Sequence, residues 1–104
     1  MNEKQKRVLE IGTDLLMWGL GFARLLKRVG EVNKMPDLSD LEKRKIVEAA
    51  ERLGKLFESV LAANDAQPTA DDALDHLIAS YDRLKEETAK LNANIDRLLA
   101  SRKA

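Results

Sequence analysis

The chain's only two prolines, Pro36 and Pro68, stand between stretches whose apolar residues recur every three or four positions. Proline has no amide proton and its ring clashes with the preceding turn, so neither position suits a helix interior or a central strand. Two such breaks in 104 residues leave three segments of helical length. None alternates with the period of two that a half-buried strand requires, and β-branched and aromatic residues are sparse. The pattern predicts an all-α fold, a single helical domain over 1–104. A chain of this length has room for one modest core.

The punctuation sets the expected helix ends. Helix 1 is expected from about 3 to 29: Val8, Ile11, Leu15, Trp18, Phe22, Leu25 and Val29 keep three-four spacing. Lys27 and Arg28 suit a last turn and Gly30 suits a left-handed close. Helix 2 is expected from about 39 to 63. Ser39 and Glu42 have capping-box spacing, and Ile46, Ala49, Leu53, Leu56 and Val60 form its stripe, widened by Ala50 and Phe57. The pairs Asp40/Arg44, Glu48/Arg52 and Glu51/Lys55 have the acid-before-base order that supports a helix.

Helix 3 is expected from about 70 to 102, after an N-cap at Thr69. Leu74, Leu77, Tyr81, Leu84, Thr88, Leu91, Ile95 and Leu98 mark out a heptad seam. Short linkers make neighbouring helices antiparallel. The expectation is an antiparallel up-down-up three-helix bundle with a long coiled-coil-like C-terminal helix, longer than its partners. Thr88, Asn92 and Asn94 would mark where that helix leaves the bundle and its seam becomes partly wet.

The first segment carries more apolar surface than such a bundle uses. In IGTDLLMWGLGFARLL, residues 11–26, a wheel at about 100° per residue puts the core stripe on one side. Gly12, Gly19 and Ala23 lie beside it, and Leu9, Leu16 and Leu20 lie beyond. An amphipathic helix of a small bundle has a narrower stripe. A helical glycine also costs about 1 kcal/mol relative to alanine. The arrangement suggests a smooth strip along which another helix approaches. Val47, Gly54 and Leu61 repeat at seven-residue intervals beside the core face of helix 2 and suggest a second line.

Composition and motifs argue against several function classes. The 18 basic and 18 acidic residues cancel, so no long-range field draws the chain to nucleic acid or an anionic membrane. Arg24, Lys27 and Arg28 are explained as cations at a helix C-terminus, and aromatics at 4% leave little for base stacking. The apolar run is too short and too charged to span a bilayer, and it lacks the cleavage site of a signal peptide. Cysteine is absent, which fits a cytoplasmic location and removes thiolate chemistry. His76 with Asp72 one turn earlier has metal-ligand spacing, but both point away from the seam. No phosphate-binding, dinucleotide or nucleophile-elbow motif occurs.

The resulting expectation is a non-enzymatic, cytoplasmic interaction module without cofactor, metal or catalytic residues. It self-associates, most simply as a homodimer, through Leu9, Gly12, Leu16, Gly19, Leu20 and Ala23 of helix 1 with Val47, Gly54 and Leu61 of helix 2. The alternative is a small adaptor or inhibitor offering the same face to a larger protein, or a peripheral membrane-binding protein. Nucleic acid is not an expected partner, nor is a membrane in the main reading.

Overall fold

Asn2 begins the first helix by a reciprocal cap. Its side chain accepts the Gln5 amide at 2.8 Å, while its own amide donates to Gln5 Oε1 at 3.1 Å. The computed structural model describes residues 2–101 and contains three helices: α1, Glu3–Asn33; α2, Asp40–Asp65; and α3, Asp71–Ser101. Each packs against both others in an up-down-up three-helix bundle, and no strand is present among the described residues. The molecule is a rod of 53 × 20 × 17 Å.

Several helix ends differ from the expected ones. α1 runs through Gly30 to Asn33, because Gly30 keeps a negative φ and continues the helix. The added turn buries Val32, and Met35 is buried just beyond it, with its amide bonded to the Val32 carbonyl at 3.1 Å. Lys27 and Arg28 therefore lie before the last turn. At α2, Ser39 Oγ accepts the Glu42 amide at 3.1 Å, but the Ser39 amide does not donate back to the Glu42 carboxylate, so only half the capping box forms. None of the three expected acid-base pairs of α2 closes to an ion pair.

α2 extends to Asp65 and turns at Gln67, whose φ of 51° is left-handed. The first turn of α3 bonds to the Ala70 carbonyl through the Leu74 amide at 3.0 Å. Thr69 is thus one residue outside the cap position. Over the described residues α1 and α3 each span 31 residues. The expected end at 102 lies outside the described residues.

The heptad pattern of α3 buries Leu74, Leu77, Tyr81, Leu84, Leu91, Ile95 and Leu98. Ile11, Leu15, Leu25 and Val29 of α1 and Ile46, Ala50, Leu53 and Val60 of α2 complete the core. Trp18 joins the three helices at mid-length. Its ring stacks on Phe22 at 4.8 Å and on Phe57 of α2 at 4.3 Å, and its Nε1 donates to Thr88 Oγ1 of α3 at 3.3 Å. Thr88 also donates to the Leu84 carbonyl. The expected departure of α3 at this point does not occur: Thr88 is a polar joint inside the bundle, and the seam closes again at Leu91 and Ile95.

Two backbone positions give direct stability tests. A Cβ at Gly30 meets nothing within 4 Å, so Gly30→Ala should stabilise by roughly 0.5–1 kcal/mol through helix propensity and a less flexible unfolded chain. Gln67→Gly should stabilise by about 1 kcal/mol, because glycine adopts the left-handed region without the Cβ penalty. Both changes should raise the urea midpoint without altering the slope.

Candidate functional site

α1 uses its polar side chains on one flank, facing α3. Lys4 reaches Asp75 at 3.1 Å, Arg7 reaches Asp82 at 3.1 Å, and Arg28 bonds to Asn92 at 3.0 Å and pairs with Asp96. Asp14, the one acid within the apolar stretch, accepts the Tyr81 hydroxyl at 2.9 Å. These contacts join successive levels of two parallel helices. Surface ion pairs of this kind contribute little individually, but together they fix how α1 is rotated against α3. Sequence reading missed the ladder because its partners are 64 to 75 residues apart.

With that rotation fixed, the far side of α1 faces solvent. Leu16 is 76% exposed, Met17 and Leu20 67% each, Leu9 60% and Leu26 48%. Leu9, Leu16, Leu20 and Ala23 all lie on the exposed side, as expected. Met17 and Leu26 were missing from the expected face. The signal for them was the near-continuous apolar run itself, since three-four spacing selects the core and leaves the remainder unassigned.

A Cβ at Gly19 meets nothing within 4 Å; at Gly12 it meets the Asn64 side-chain amide at an ordinary 3.6 Å, and at Gly54 the Phe22 ring at an equally ordinary 3.5 Å. Packing inside this chain therefore does not require glycine at any of the three, but Gly12 and Gly54 both lie against a side chain of the neighbouring helix, and Gly19 does not. Val47 is partly buried against the core. The expected outward line on α2 is thus corrected: Val47 and Gly54 serve contacts within the chain, and Leu61 alone is exposed, at 37%. α2 approaches α1 on either side of Leu61, with Asn64 beside Gly12 and Gly54 beside Phe22, so Leu61 borders the α1 face.

Two concavities flank this arrangement. One, of about 660 Å³, lies where the start of α1 meets the α2–α3 turn. Val8, Leu9, Gly12, Pro68 and Leu74 give it an apolar lining, and it opens beside the exposed face. The other, of about 640 Å³, runs between α2 and α3. Lys45, Arg52, Arg83, Lys90 and Arg97 line it together with Glu42, Glu48 and Glu87, and Lys90 is paired with Glu87 at 3.6 Å. Interleaved signs do not make a site for one charged ligand.

His76 and Asp72 are exposed, and Asp75 is held by Lys4. Among the described residues, no group of three His, Asp or Glu side chains is placed to hold a metal. No described helix is long and apolar enough to cross a membrane. No protein-family model, curated protein or solved structure matches this chain.

The ladder makes one pH prediction. Burial, then the hydrogen bond to Asp14 and the charge of that carboxylate, push the Tyr81 hydroxyl from its ordinary 10.0 up to about 12. Between those values the folded chain keeps a proton that the unfolded chain has lost, so stability should fall as pH rises through that window. Below pH 10 this contribution is fully present. Tyr81 is the only tyrosine, so its ultraviolet absorbance should titrate as one transition near 12, and near 10 in urea.

Proposed function

We propose that this chain is a non-enzymatic, cytoplasmic interaction module that self-associates through the exposed face of α1, with Leu61 of α2 at its edge. The carrying observation is the run of exposed Leu9, Leu16 and Leu20, with Met17 on one side and Leu26 on the other, along one helix whose opposite side already completes the core. Single exposed apolar residues are ordinary, but a contiguous patch marks a contact surface. Leu9, Leu16 and Leu20 recur at intervals of seven and four residues, the spacing of a helix-helix seam.

A second copy offers the same apolar strip in return, which a symmetric dimer requires. The absence of cysteine from the sequence is the support for a cytoplasmic setting.

Light scattering at low micromolar concentration should give twice the 11.7 kDa chain mass. The double variant Leu16→Glu, Leu20→Lys alters two side chains that already face solvent, so it should remain helical and run as a monomer. A wild-type chain that is strictly monomeric under the same conditions overturns the proposal.

A further inference from the structure

We infer that the apolar concavity at the start of α1 is a binding site for a small amine, a primary ammonium group carried on an apolar body. All three helices contribute to its walls. Val8, Leu9 and Gly12 come from α1, Pro68 from the α2–α3 turn and Leu74 from α3, around a volume of about 660 Å³. Small-molecule sites are typically concave, about 300–1,000 Å³ in volume and mostly apolar, with a few polar groups that orient the ligand. Leu74 is only 2% exposed, so the floor of this concavity is the edge of the core. Leu16 and Leu20 do not line it, and the inference does not depend on self-association.

The charge of the ligand follows from the end of α2. Asp65 is the last residue of that helix and the only charged side chain lining the concavity. A helix C-terminus carries partial negative charge and is stabilised by cations in its last turn. The last turn of α2 contains no basic residue, and Asp65 forms no ion pair among the described residues. A carboxylate here opposes the helix dipole with nothing in the chain to offset it.

The following chain leaves this end negative. The Ala66 and Gln67 amides bond to the Ala62 and Asn64 carbonyls at 3.1 and 3.0 Å, and Pro68 then has no amide proton to donate. Asn64 lies between Gly12 and Asp65 and adds a side-chain carbonyl able to accept from an ammonium group. Helix end, carboxylate and amide thus meet beside an apolar wall. A cation bound there compensates the first two while its apolar body covers Val8 and Leu74; an anion of the same shape is repelled by both.

Amide NMR of the full chain titrated with phenylbutylammonium should show saturable shifts confined to Val8, Gly12, Asn64, Gln67 and Leu74. Phenylbutyrate has the same apolar body and the opposite charge, and should bind roughly tenfold more weakly from the helix-end and surface-pair contributions together. Asp65→Asn should bring the two affinities within about threefold, leaving only the helix end to discriminate. Asp65→Lys should reverse the preference and raise the urea midpoint, because a cation suits a helix C-terminus. The inference is overturned by equal affinity of the two probes for wild type, by no saturable shift at the lining, or by a lower midpoint in Asp65→Lys. It is also overturned if only the Leu16→Glu, Leu20→Lys variant responds, since a second copy then covers the concavity in wild type. The mass of the wild-type chain tests self-association separately from all of these outcomes.

Discussion

Trp18 is where the three helices become one structure. Its ring stacks against α2 and its indole nitrogen is satisfied by a hydroxyl of α3, so one side chain fixes both neighbours of α1. A residue this large contributes much apolar contact, and its N–H restricts which way the ring can face. Thr88 interrupts the leucine seam to provide that acceptor. The same threonine satisfies its own hydroxyl on the Leu84 carbonyl, and no buried side-chain polar atom among the described residues lacks a partner.

Once Trp18 and the contacts toward α3 together set the rotation of α1, the remainder of its circumference has a fixed assignment. The flank toward α3 carries the ion pairs and the Tyr81–Asp14 hydrogen bond, and the flank toward α2 carries aromatic and glycine contacts. Neither flank uses the outer leucines. Partial overlap with the core is possible only for side chains within about a quarter turn of it, and Leu9, Leu16 and Leu20 lie farther round. Their exposure is a geometric consequence of α1 having two neighbours in place of three. The proposed second copy supplies the missing neighbour.

The fold was legible because its strongest signals are local. Two prolines and three runs of three-four spacing determine the number and order of helices, and Ile11, Leu15, Ile46, Leu53, Leu77 and Ile95 are buried where the periodicity placed them. The helix ends were less legible. Gly30 has the composition of a terminator, yet burial of Val32 and Met35 one turn later favours continuing the helix. Ser39 and Glu42 have the spacing of a reciprocal cap, and only the bond to the backbone amide forms. A surface carboxylate gains little from a second bond that water already provides.

The sequence by itself determined three helices, the leucine seam of α3 and an apolar excess on α1, because each depends on residues one or two turns apart. Tertiary structure decided which of that excess stays outside. Gly54 is matched to Phe22 and Val47 to the core, while Gly19, Leu16 and Leu20 have no match within the chain. These roles depend on distances between helices and on the rotation of α1 about its axis. The contacts that set this rotation, from Lys4–Asp75 to Arg28–Asn92, join residues that only the packed bundle brings together.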